Sequence, residues 1–209
     1  MNLDFFQLDT LQEILETLPP FHRVAFAASI CERMLPINEL FSQEESWGDS
    51  TVLRNALDEI WQILLKKQAD AEKIEELTKA CEQQTLHADD VRQSRLDYEA
   101  QQTISAVCFT LESCLEPTSI KVLDVAQCVE ETIYAFVTSR KFDDDESWND
   151  KSSEELDNYV ASHPLAIQEM AKQREDLQWL KQVETLDRDF LERLRTSSHN
   201  NGKSLIDLS

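Results

Sequence analysis

The sequence predicts an all-α, single-domain bundle of about seven to nine helices built around a buried second helix. Three observations carry that reading. Two glycines and five prolines among 209 residues leave little material for the many tight turns of an all-β protein. Abundant Ala, Leu, Glu and Gln, with 29% charged residues, favour helix. Apolar residues also recur at three- and four-residue spacing along most of the chain. The length suits one domain with a substantial core. That domain is expected over 1–195, with an acidic loop at 142–153 and a polar, flexible tail at 196–209.

The first helix is read from Leu3 to Leu18, with Phe5, Leu8, Leu11, Ile14, Leu15 and Leu18 on its apolar side. Pro19-Pro20 ends it and opens the next, since a proline in the first turn lacks an N–H that would be unpaired there anyway. The second helix runs to Leu35, where Pro36 is expected to close it. At roughly 100° per residue, Phe21, Val24, Ala25, Ala28, Cys31 and Leu35 share one arc while Phe26 and Ile30 lie nearly opposite. A helix apolar on two sides is normally buried. A short helix from Ile37 to Glu45 follows, with Leu40 and Phe41 inward.

Glu32 falls inside the apolar arc of the second helix. An unpaired buried carboxylate is costly, so it must be hydrogen-bonded, ion-paired or protonated unless it lies at the solvated rim. The helix expected from Ser50 to Lys66 offers a partner: Leu53, Ala56, Leu57, Ile60, Trp61 and Leu64 share an arc, Arg54 sits at its edge beside Trp61, and Asp58 stands one turn on. Glu32 with Arg54, joined by Arg33 or Asp58, forms the candidate buried network. Asp49 adds a further carboxylate at the entrance to this helix, where Asp49 or Ser50 supplies the N-cap. Gly48 marks a helix C-terminus or a backbone position with positive φ.

Gln68 to Gln84 is read as an exposed, mobile helix with thin apolar content. His87-Ala88-Asp89-Asp90 reads as a loop and cap, because a metal would need ligands converging from other segments. Ala100, Ile104, Val107, Cys108, Leu111, Cys114 and Leu115 define a helix from Leu96 to Leu115. Thr118 or Ser119 caps the next, Ile120 to Arg140, which should pack antiparallel on it. Between Asp143 and Asp157 lie eight acids and one lysine, a solvated loop or else a docking patch for a basic partner formed by Asp143, Asp144, Asp145 and Glu146. A short helix from Glu154 to Ala161 and one long helix from Pro164 to Arg195 complete the bundle. Leu205-Ile206 is the one apolar pair in the tail available to dock.

The run Cys31-Glu32-Arg33-Met34-x-Pro36, then Phe41, Gly48-Asp49 and Arg54-x-x-Leu57-Asp58-x-x-Trp61, resembles the bacterial domain-of-unknown-function 416 family. Ala88-Asp89-Asp90, the Ala/Cys-rich helix from Ala100 to Leu115, and the segment from His163-Pro164 through Trp179 to Leu194 extend the resemblance over nearly the whole chain. It implies a single-domain, all-α, cytoplasmic bacterial protein, with no activity attached. The chain departs from the pattern at Asn38, where an aromatic is expected nearby, and in its longer acidic insertion after Lys141.

A net charge of −21 argues against phosphate-backbone binding and against anionic membrane surfaces. The first ten residues lack a signal-peptide pattern, and five cysteines without a C-x-x-C pair fit reduced, buried thiols. No nucleotide-binding, hydrolase or metal-binding motif is present, including the paired Glu-x-x-His of helical di-iron proteins. No catalytic residue, cofactor or metal is therefore assigned. The expected function is a non-enzymatic protein-interaction or regulatory module, with a protein partner or self-association. Two alternatives stand beside it: a small-molecule-binding or enzymatic bundle using the Glu32/Arg54 cluster, and an acidic mimic of nucleic acid that occupies a basic protein.

Overall fold

In the computed structural model, residues 4–85, 96–199 and 202–207 are described. Among them lie nine α-helices and no strand. In chain order these are α1 (Leu8–Glu16), α2 (Pro20–Glu45), α3 (Ser50–Lys66), α4 (Ala71–Glu82), α5 (Asp97–Leu115), α6 (Ser119–Asp144), α7 (Ser153–Ala161), α8 (Pro164–Gln182) and α9 (Arg188–Ser198), with a 3-10 turn at Glu146–Asp150. The axis is α2, whose residues from Val24 through Leu35 are all buried. It packs on α3, α5, α6, α8 and α9, as a helix apolar on more than one side requires. The longest mutual packing joins α5 and α6, connected through three residues, and α4 lies on α5.

Local caps follow the sequence closely. Asp49 accepts the Thr51 N–H at 2.9 Å, Asp70 caps α4, and Thr118 caps α6. Gly48 adopts φ +68°, and a Cβ there would meet the Gln84 Oε1 at 2.8 Å. That oxygen accepts the Asp49 N–H at 2.8 Å, so the glycine lets α4's end approach the start of α3.

Several expected boundaries are corrected. Pro36 does not close the second helix: α2 runs on to Glu45, absorbing the separate helix expected at 37–45. Proline in a helix interior loses one hydrogen bond and crowds the preceding turn, but Ile37, Asn38 and Phe41 are buried, and their packing outweighs that cost. In the turn before the proline, the Arg33 carbonyl accepts the Leu205 N–H at 3.0 Å. The first helix begins only at Leu8, because Phe6 takes φ +66° and donates its N–H to Glu130 Oε1 at 3.0 Å. The long final helix is two: Val183 is extended, Leu186 is buried, and Asp187 starts α9 by accepting the Phe190 N–H at 2.8 Å.

The acidic stretch is more ordered than a loop. Asp143 and Asp144 belong to α6, Asp145 caps the 3-10 turn, and Ser152 with Glu155 forms a capping box for α7. Trp148 packs on Tyr159 with ring centroids 4.5 Å apart. In the tail, Leu205 and Ile206 are each only 8% exposed. Leu115, expected inward, is exposed. His87, Ala88, Asp89 and Asp90 lie outside the described residues.

Candidate functional site

Glu32 and Arg54 meet at the α2–α3 contact. Arg54 Nη1 donates to Glu32 Oε2 and Nη2 to Oε1, both at 2.9 Å, a bidentate pair. Trp61 Nε1 donates to Oε1 at 2.7 Å, and Arg195 Nε of α9 lies 2.8 Å from the same oxygen. Arg195 also pairs with Asp58 through Nη2. Arg54 Nε stands 3.3 Å from Asp58 Oδ1 without forming a hydrogen bond, so that contact is electrostatic only. Burial works against the Arg54 charge, yet the hydrogen bonds and charge of Glu32 hold its pKa above the usual value. Two guanidiniums thus face two carboxylates, and the Glu32 side chain has 0% exposure.

Arg33, one residue on, turns away from this cluster and anchors α8. Its Nε and Nη2 donate to Glu169 Oε2 and Oε1 at 2.8 and 2.7 Å. Its Nη1 reaches Asp176 Oδ2 at 3.0 Å and the Ser29 carbonyl at 2.9 Å. Lys172 Nζ completes Asp176 at 2.6 Å, while Gln173 Nε2 donates to Glu169 at 3.0 Å. Burial opposes the Arg33 charge, but Glu169 and Asp176 outweigh it and push its pKa up. Asp49 joins neither group. It is an exposed cap whose carboxyl is held below the ordinary range by the hydroxyl and N–H of Thr51.

Of the five residues expected together, Glu32, Arg54 and Asp58 meet, with Arg195 beside them, while Arg33 and Asp49 lie elsewhere. Arg195 carried no local signal. Glu169, Gln173 and Asp176 did carry one, at three- and four-residue spacing within the same face as Leu165, Met170, Leu177 and Leu180. The Arg33 group is closed, and in the other cluster Glu32 is enclosed while Asp58 and the two arginines reach solvent; together they clamp α2 to α3, α8 and α9.

The open chemistry lies elsewhere. A cavity of about 940 Å³ is bounded by α2, α5, α6, Tyr159, His163 and the tail, within the usual range for ligand sites. Its lining includes Glu44, Asp97, Glu99, Asp143, Asp144 and Asp207 against Arg140 and Lys141. Of the expected acidic patch, Asp143 and Asp144 reach this rim, whereas Asp145 and Glu146 do not line it. Asp145 instead pairs with Lys141 at 3.7 Å. Leu40, Tyr98, Phe136 and Tyr159 give the cavity apolar walls, and Arg140 lies over the Phe136 ring at 3.9 Å.

Glu99, in the first turn of α5, is 3% exposed. Burial raises its carboxyl pKa; its own backbone N–H and the charge of Arg140 act in the opposite direction. A smaller cavity of about 360 Å³ lies across Tyr98 and Ala135, floored by Glu130, whose carboxyl burial pushes up to about 7. Burial likewise lowers the His163 pKa. All five cysteines are buried and unpaired, and burial pushes the Cys31 and Cys114 thiols up to about 12, which suppresses the nucleophilic thiolate. Among the described residues no group of three or more His, Cys, Asp or Glu is arranged to hold a metal. No helix there is long and apolar enough to cross a membrane.

Comparison with known proteins agrees with this architecture. A DUF416 family protein from Shewanella baltica OS155, solved by crystallography at 1.91 Å, superposes with a TM-score of 0.82 at 23% identity, covering 94% of this chain and 97% of that one. The Escherichia coli K12 "Uncharacterized protein YjaG" is 29% identical over 192 residues, 92% of each chain. Its Salmonella typhimurium LT2 namesake is 26% identical over 212 residues, covering 93% of this chain and 94% of its own. The family model "Protein of unknown function (DUF416)" matches residues 10–209.

Proposed function

Since this chain belongs to the DUF416 family, for which no function is described, we propose its role from its own side chains: a non-enzymatic interaction protein that receives a basic segment of a partner protein. The observation that carries this is the charge of the larger cavity, where six carboxylates surround two cations over apolar walls. Complementary charge raises encounter rates and fixes orientation, and the chain's net charge of −21 extends the same field beyond the rim. That charge also opposes self-association through this face. The alternative of a ligand site on Glu32 is weakened by a carboxylate with no exposed surface and with its acceptor positions filled. Five buried thiols without disulfides suit a reducing cytoplasm, where we place the protein.

The test is capture of bacterial cytoplasmic proteins on the immobilised chain, with salt-step elution and identification by mass spectrometry. Basic proteins that leave at moderate salt, and are held less tightly when Asp143→Asn and Asp144→Asn are combined, support the reading. Identical capture by wild type and the double variant refutes it.

A further inference from the structure

We infer that Glu99 is the interior receptor of the acid-rimmed cavity, accepting one arginine side chain from the partner's basic segment; this rests on the interaction reading above. Most acids of the molecule lie in water, where a carboxylate needs nothing. Glu99 is different: it is 3% exposed and lines the cavity. Among the described residues its carboxylate has no ion pair, and its own backbone N–H is its one hydrogen-bond donor. Arg140 is near enough to be felt electrostatically, yet its guanidinium is engaged over Phe136 at 3.9 Å instead. A buried carboxylate left this way is costly unless a cation completes it. Of the other buried carboxylates, Glu32, Glu169 and Asp176 already hold their cations, and Glu130 accepts the Phe6 N–H. Glu130 lines the smaller cavity, whereas Glu99 lines the larger one together with the acids of its rim.

The walls decide which cation. Tyr98 and Tyr159 flank the space, and Arg140 on Phe136 displays how an aromatic there accommodates a planar guanidinium. Arginine stacks on such rings and bonds a carboxylate through two parallel N–H groups, which a lysine ammonium cannot do. Its aliphatic stem would cover the apolar walls while the rim acids Asp143 and Asp144 hold the flanking basic residues. The structural alternative is that Glu99 merely complements the N-terminal dipole of α5, as Asp97 beside it does.

The experiment uses the full chain and the peptide Arg-Leu-Arg-Leu-Arg-amide carrying fluorescein on its N-terminal amine, followed by anisotropy at pH 8 and low salt, with spermidine as the small-amine arm. Glu99→Gln keeps the shape and removes the charge; circular dichroism and a thermal melt establish that it folds. The expected result is a loss of affinity of about tenfold or more for Glu99→Gln, as for a lost charge-assisted hydrogen bond. Asp143→Asn with Asp144→Asn should cost less, about threefold, as rim charges do. Arg140→Gln, which removes the resident cation, should tighten binding. If Glu99→Gln binds within twofold of wild type while the Asp143/Asp144 variant is weakened, the Glu99 receptor is overturned and the acidic face survives. If wild type binds no peptide, both fall. If spermidine binds with Glu99 dependence and the peptide does not, the occupant is a free amine and the arginine assignment is overturned.

Discussion

Replacing Glu32 by Gln isolates the charge of the central carboxylate while preserving its volume. The side chain accepts two bonds from Arg54 at 2.9 Å, one from Trp61 at 2.7 Å, and the charge of Arg195 at 2.8 Å. Breaking a fully buried ion pair costs about 3–5 kcal/mol, because the partner is left charged and unmatched. Here the partners retain some water, with Arg54 27% and Arg195 34% exposed, and Gln still offers one oxygen. The expected loss is therefore about 2–3 kcal/mol. Urea denaturation at pH 7, followed by tryptophan fluorescence, measures it without the screening that guanidinium salts bring. A cycle with Arg54→Met should return a coupling of about 1–3 kcal/mol. A loss below about 0.5 kcal/mol, the range of surface substitutions, would refute the claim that this pair clamps α2 to α3.

Other outcomes follow from the same geometry. Glu130 keeps its proton in the fold up to about 7 but has an ordinary value of 4.5 when unfolded, so the folded state binds more protons in that window and stability falls as pH rises through it. Glu130→Gln should therefore match wild type near pH 4.5 and exceed it by about 3 kcal/mol at pH 8; parallel stability curves would exclude this. Leu205→Ala should cost about 2 kcal/mol in urea unfolding, the price of a buried leucine, where an undocked tail would give none. Asp187→Ala, which removes the α9 cap, should lower stability by about 1 kcal/mol, with Asp187→Asn restoring it.

The elements that sequence revealed are those whose determinants are local. Ser50–Lys66 was readable to the residue because its cap, apolar arc and last turn are contiguous. Glu32 and Arg54 were readable as a pair because each sits on an apolar arc of neighbouring helices. Arg33 was not, since its partners Glu169 and Asp176 lie more than a hundred positions away and no alternation predicts which of two adjacent charges faces α8. Pro36 misled because the rule for proline is local, whereas burial of Ile37 and Phe41 is tertiary. The acidic composition of 143–146 likewise masked the continuation of α6 through Asp144. Glu99 escaped notice because an acid in a first turn looks like ordinary dipole compensation until its burial is known.

The adjacency of Glu32 and Arg33 has a consequence for biosynthesis. Both charges leave the ribosome well before their partners, since Glu169 and Asp176 follow Arg33 by 136 and 143 positions and Arg195 comes later still. A nascent chain ending before Glu169 must keep its central helix wet or carry an unmatched guanidinium in a half-built interior. Consolidation of the molecule thus waits for α8 and α9, and removing them strikes at the centre of the protein and not at its edge.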